Sequence, residues 1–390
     1  MAYTDTTALG GLVKTAYDRY VEFALRAQPM IRAVADKKPA QQAMPGSSVV
    51  FSLYNDLAAA TSTLTETTDP DAVALSDVDT VSVTLNEYGN AALVTRKLQL
   101  FSLSDVDPAV ADIIAYNMAD SLDTVAQSTL RQGTNVIYGG TRTSTATVTA
   151  SDTIDSADIR KVVAKLRSNK AVPRAGSLYW VGIHPEVSHD LRAESGSVGW
   201  RDTHAHTDAS LGNLFAGTIG TYEGAFFVEN PRMYSAKDGA DQTALATTAV
   251  TVAGTSGGFT FGVASSAVIA TRAEVGDKIS GTGVGTGAKI TAISTSGSTT
   301  TFTVDVANSA AVTATTVVTV TPVTRVFRTI LCGKQALAEA VSQEPNVVIG
   351  PITDKLMRFR PIGWYGVLGW SRYREEALYR IETGSSIAAL

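Results

Sequence analysis

The run 104–133 is the stretch that every other part of this chain must accommodate. Asp107 followed by Pro108 reads as a helix start: the Asp carboxylate caps free amides, and Pro is tolerated where no intrahelical donor is needed. Val106, Val110, Ile113, Ile114, Met118, Leu122, Val125 and Leu130 then recur mostly three or four residues apart, giving one apolar stripe. Asp112, Asp120, Asp123 and Gln127 fall largely off that stripe, and Gly133 is a natural stop. At 1.5 Å per residue such a helix is roughly 35–40 Å long, well beyond the average. A lone long helix between two β-rich blocks is expected to act as a spine.

A chain of 390 residues has room for two or three domains and a substantial core. With 44% hydrophobic and 18% charged residues it is globular rather than disordered. The net charge of -5 gives no global case for nucleic-acid binding. One cysteine, Cys332, excludes an intrachain disulfide framework. The opening MAYTDTTALGG lacks a basic region followed by an apolar core, and no run reaches the ~18 apolar residues of a membrane span. A soluble protein made in a cytoplasm is expected.

Residues 1–45 read as a helical arm punctuated by Pro29, Pro39 and Pro45, and locally basic through Arg19, Arg26, Arg32, Lys37 and Lys38. From Gly46 the period becomes two: SSVVFSLYND, TVSVTLNEYG and AALVTRKLQLFS each read as strands. The first two bracket a long acidic stretch carrying Glu66, Asp69, Asp71, Asp77 and Asp79, which suggests a projecting hairpin. Asp69 and Asp71 lack the Gly and distal Glu of a calcium loop, so no metal is assigned.

After the spine, a polar connection leads to SDTIDSADIRKVVAKLRSNKA, an amphipathic helix capped near Ser156. SLYWVGIHP reads as a strand of mixed burial, PEVSHDLRAES as a short helix, SGSVGWRDTHAHTDAS as a flexible loop, and GTIGTYEGAFFVEN as a return to strand. Residues 236–322 turn Thr-, Ser-, Gly-, Ala- and Val-rich, and their Val/Ile alternation predicts a small all-β module inserted into an α/β domain. Beyond it, VFRTILCG reads as a strand, KQALAEAV as a short helix, and PNVVIGP as a strand. Trp364, Tyr365, Trp370, Tyr373 and Tyr379 then mark an aromatic β layer that completes a core or interface.

No catalytic constellation assembles. GTSGG (254–258) matches a nucleophile elbow but lies in a tract with no following helix, and GTGVGTGA (281–288) imitates a dinucleotide fingerprint with no helix to receive a pyrophosphate. His204 and His206, near Asp202 and Asp208, sit in a loop without a third His or a Cys. His184, before Pro185, reads as a turn residue. Neither enzyme activity nor a cofactor is expected.

This order of parts resembles the major capsid proteins of tailed bacteriophages, the Hong Kong 97-type shell fold. The resemblance is carried by LSDVDPAVADIIAYNMADSLDTVAQSTLRQG, SLYWVGIHPEVSHDLRAESG, GTIGTYEGAFFVENPRM, LCGKQALAEAV and GWYGVLGW, and covers about 1–235 and 324–390. It implies an α+β chain with an N-terminal arm (1–45), an extended-loop hairpin and peripheral strands (46–100), and a spine helix in a peripheral domain (101–153). An axial domain follows in two parts (154–235 and 324–350) around an inserted, immunoglobulin-like β domain (236–323), with C-terminal peripheral strands (351–390).

The function implied is self-assembly, through hexamers and pentamers, into the icosahedral shell around a phage double-stranded DNA genome. Partners would be neighbouring capsid subunits, scaffolding, portal and decoration proteins, and packaged DNA held without sequence specificity. No membrane is involved. The site would be the virion capsid, assembled in the host bacterial cytoplasm. The acidic loop (Glu66, Asp69, Asp71, Asp77, Asp79) opposite the basic arm (Arg26, Arg32, Lys37, Lys38) forms a candidate inter-subunit pair. The alternative is a surface-layer or adhesin-like binding protein, which would need an export signal.

Overall fold

The computed structural model describes residues 29–39, 48–53, 57, 59–61, 63, 64, 66, 67, 69, 79–101, 106–194, 218–351, 356 and 358–387. The chain is α+β and divides into two compact units. One comprises 1–29, 37–125 and 339–370, and the other 30–36, 126–338 and 371–390. The long helix Val106–Leu130 and the strands Leu337–Ile349 and Phe359–Arg372 each begin in one unit and end in the other.

In the first unit, four strands lie in the spatial order Asp36–Pro39, Leu337–Ile349, Phe359–Arg372, Asn86–Thr95. The last two pair antiparallel over ten residues, from Phe359 opposite Thr95 to Leu368 opposite Asn86. Ile114 and Leu122 of the spine helix pack with Trp364 and Leu368 of the sheet, flanked by Val110, Met118, Tyr88 and Trp370. The Trp364 indole N–H donates to Asn117 Oδ1 at 3.0 Å, which fixes helix against sheet with a polar contact inside an apolar layer. The expected hairpin is present: Ser48–Leu53 pairs antiparallel with Asp79–Thr84, Ser48 opposite Thr84.

In the second unit, strands lie in the order Val136–Tyr138, Leu378–Thr383, Val326–Cys332, Tyr179–Ile183, Ala225–Glu229, Thr218–Tyr222, with Ser235–Ala236 also pairing with Val326–Cys332. Helices Ser156–Ser168 and Pro185–Ala193 contribute Ile159, Val162, Val163, Leu166, Val187 and Leu191 to the core against this sheet. Asp155 caps the first helix by accepting from the Asp158 amide at 2.8 Å. His184 caps the second through Nδ1, so it is a helix cap rather than a plain turn residue.

Residues 248–321 of the same unit form six strands in the order Lys278–Gly281, Val317–Thr321, Thr248–Val252, Thr260–Ala264, Thr299–Val304, Ile290–Ser296, with one short helix, Val268–Arg272. The two end strands are brought together: Lys278 bridges Lys289, and the Ile279 amide donates to Ala288 O at 2.9 Å. The sheet therefore curls into a small barrel around Phe261, Phe302, Ile279, Ile290 and Val320, which removes exposed strand edges there.

Four local expectations are corrected. RKLQLF is helix Arg96–Phe101, not strand, because Thr95 Oγ1 accepts from the Leu98 amide at 3.2 Å and starts a turn. LAEAV belongs to strand Leu337–Ile349, not a helix, because sheet pairing overrides its helix-favouring composition. Tyr179–Ile183 is buried throughout, with strands on both sides, so its burial is not mixed. Asp123 and Gln127, placed off the apolar stripe, are buried, and the Gln127 amide donates to Arg232 O at 2.9 Å. Two expected segments are also divided: 324–350 changes unit at Glu339, and 351–390 changes unit at Ser371, with Leu378–Thr383 pairing with Val326–Cys332.

Candidate functional site

A subunit built to associate should carry apolar surface that its own fold does not cover. The first unit does so at one end of its four-stranded sheet. Three strands meet there: Leu93 lies opposite Pro361, and the Gly350 amide donates to Pro361 O at 2.9 Å. The helix Arg96–Phe101 follows directly, its first amide donating to Arg358 O at 2.9 Å. Leu93 is 65% exposed, Leu100 73% and Phe101 79%, with Leu98 and Ile349 also exposed. Arg96, Lys97, Arg358 and Arg360, on the same segments, are exposed too, so the tip carries basic as well as apolar side chains. Fully burying each such side chain is worth about 1.5–3 kcal/mol. Association costs about 4–15 kcal/mol in lost freedom, so one such contact is marginal and a repeated one is not.

Of the charged residues expected at the interface, Arg32, Lys37, Glu66 and Asp69 are described with their side chains. Lys37, Glu66 and Asp69 are exposed, and Arg32 is half-buried. Lys37 Nζ stands 4.0 Å from Glu344, a loose pair with both side chains more than half exposed. Lys38 and Asp79 are placed by their backbones in strands Asp36–Pro39 and Asp79–Thr84. Arg26, Asp71 and Asp77 lie outside the described residues, as do His204, His206, Asp202 and Asp208. Leu57 and Leu64, beside the acidic positions, are exposed.

The sequence reading missed the tip. KLQLF alternates apolar and polar residues, which reads as strand; as a helix it sets Leu98 and Phe101 three apart on one face. The signal that could have found it is the sequence Thr95 to Phe101, a cap residue followed by good helix formers.

The rejected motifs fall in turns. Gly254 bridges Val312, and the Gly257 amide donates to Asn308 O at 2.9 Å, with strand rather than helix following. The 281–288 glycines form the turn that closes the barrel, Val284 and Ala288 pointing into its core. Cys332 is fully buried, and burial pushes its thiol up to about 12, far from nucleophilic range. Among the described residues no group of three or more His, Cys, Asp or Glu is placed to hold a metal ion, and no helix is long and apolar enough to cross a membrane.

A spine helix laid on a long-stranded sheet, an antiparallel hairpin, and a second unit of mixed sheet and helices together make the fold of a shell-forming capsid subunit. Solved phage capsids have this fold along almost their whole length. The chain matches the capsid of Ralstonia phage GP4 with a TM-score of 0.61 at 12% identity, covering 96% of each chain. It matches the cyanophage Pam1 capsid at 0.59 and 12% identity, over 96% of this chain and 97% of that one. It matches the acid-stable capsid of Helicobacter pylori bacteriophage KHP30 at 0.59 and 13%, over 98% and 99%. Residues 13–386 match the phage capsid protein family, and the chain belongs to that family. No curated protein matches it in sequence. It is a major capsid protein, a structural subunit of the virion shell that associates with copies of itself.

Proposed function

We propose that this subunit assembles through hexamers and pentamers into an icosahedral shell enclosing double-stranded phage DNA, and that copies meet through the apolar tip of the first unit. The observation that carries this is the concentration of exposed large side chains at Leu93, Leu98, Leu100, Phe101 and Ile349, on a chain whose family and fold are those of shell proteins. Assembly takes place in the host bacterial cytoplasm, where scaffolding, portal and decoration proteins are the further partners and packaged DNA is held without sequence specificity. The barrel 248–321 is the inserted domain of this architecture, 1–45 the arm and 46–100 the extended loop.

The charged pairing of the basic arm with the acidic loop is part of the same proposal, and the basic side chains of the tip give Glu66 and Asp69 of a neighbour a second place to dock. Two variants test the reading. Leu100→Asp with Phe101→Asp is expected to lower the yield of closed shells at least about tenfold while the subunit unfolds at its usual temperature, since neither side chain supports the core. Lys37→Glu with Lys38→Glu is expected to impair assembly in the same way. Normal shells from the tip variant would remove the tip from the interface, and normal shells from the lysine variant would remove the arm.

A further inference from the structure

The barrel 248–321 leaves and rejoins its unit through two chain segments that run antiparallel as a neck. The Gln242 amide donates to Pro322 O and the Leu245 amide to Val320 O, both at 2.8 Å, and Asp241 bridges Val323. A two-stranded ribbon by itself is marginal and twists readily. It would let the barrel swing.

Ion pairs flank this neck on two sides, with opposite polarity. On one side, Lys237 and Arg325, the residues just outside the neck, converge on a single barrel turn. Lys237 Nζ lies 2.6 Å from Asp277 and 3.0 Å from Glu274, and Arg325 lies 3.4 Å from Glu274. On the other side the signs reverse. Asp238 stands 3.5 Å from Lys289 of the barrel and 3.7 Å from Arg328 of the seven-stranded sheet, while Asp241 in the neck is 2.6 Å from Lys278. Clefts of about 910 and 500 Å³ border the two clusters.

We propose that these two oppositely signed clusters clamp the barrel in one orientation, so that it stands on the subunit as a rigidly mounted module and not as a tethered bead. Asp277 is the centre of the clamp. It is fully buried, and accepts from Lys237 Nζ, from the Glu274 amide at 2.8 Å and from the Val323 amide of the neck at 3.1 Å. One carboxylate therefore ties together the barrel turn, the neck and the chain outside it. A buried charge pair is a poor source of net stability but a strong selector of geometry, because any other orientation strands a desolvated charge. The hydrogen bond from Lys237 also holds the Glu274 carboxyl below its ordinary value, which keeps that corner of the clamp ionised. Lys237 lies outside the barrel, and the barrel's apolar core is built from Phe, Ile, Val and Ala side chains, so protection of the core strands reads the barrel's folding separately from its orientation.

The test is hydrogen exchange on assembled shells, read beside the electron-microscopy density of the barrel. Two variants are compared with the parent: Lys237→Met with Asp277→Asn, which removes both buried charges, and Lys289→Glu, a change at a half-buried position that reverses the charge facing Asp238 and leaves Asp277 and its partners in place. In both, the Gln242, Val323 and Thr324 amides are expected to exchange about tenfold faster or more, while Thr299–Val304 in the barrel core keeps its protection. Barrel density should blur while the shell stays closed. Neck amides at parental rates with sharp barrel density in both variants would overturn the proposal. So would equal loss of protection in Thr299–Val304, since the pairs would then hold the barrel's fold and not its orientation. Shell closure itself reports on the assembly reading and is scored separately.

Discussion

Asp158 shows how one buried side chain sets a pH dependence for the whole second unit. It is 4% exposed at the start of helix Ser156–Ser168, and its Oδ2 has no hydrogen-bond partner. Burial first, and the nearby Asp155 second, push its carboxyl up to about 6, against the pull of Lys161. The folded subunit therefore binds this proton more tightly than the unfolded chain does. Stability from this group is present below the ordinary Asp value and is lost as pH rises toward 6. Asp158→Asn keeps the shape and removes the charge, so it should stabilise the dissociated subunit by about 1–3 kcal/mol at pH 8 and by almost nothing near pH 4. Denaturant midpoints at the two pH values measure it. An Asn variant that is less stable at pH 8 would show that the ionised carboxylate has a favourable partner. Cys332, with its thiol pushed up to about 12, is expected to stay unlabelled by thiol reagents until the unit unfolds.

At the scale of elements, legibility followed the length of the pattern. The spine helix, with eight apolar positions in register over seven turns, was readable because no short-range signal competes with so long a period. The hairpin Ser48–Leu53/Asp79–Thr84 was readable from its alternation, and so was the strand around Phe302. Short segments were not. RKLQLF carries a strand's alternation but has no partner strand on which to use it, so the local cap at Thr95 decides for helix. LAEAV carries helix formers, but its residues are buried in strand Leu337–Ile349, and tertiary pairing decides for sheet. Asp123 and Gln127 were placed off the apolar stripe because a single-stripe reading of the helix cannot see that its C-terminal turns are also covered. The same blindness hid the tip: exposure of Leu100 and Phe101 is a property of the folded unit, not of the residue types. Restoring strand character there with Thr95→Val should cost the cap, about 1 kcal/mol, and fray Arg96–Phe101 without touching the sheet core. Amide exchange at Leu98 would register it.

Across the whole molecule, charge and apolar surface are divided between tasks. The first unit exposes large apolar side chains at its sheet end, and the second holds part of its charge in buried pairs. Glu382, fully buried, is paired with Arg328 at 3.1 Å and Arg380 at 2.8 Å, and the clamp residues tie the barrel to its neck. A modest net charge of -5 on 390 residues lets copies approach without strong repulsion. A shell subunit needs surface that many weak repeated contacts can bury. The most direct measurement is electron microscopy of the purified protein, produced with and without its neighbouring genes. The account predicts closed shells, or rings of five and six subunits, from the parent chain, and their loss in Leu100→Asp with Phe101→Asp. Dispersed monomers of the parent chain under every condition would contradict it.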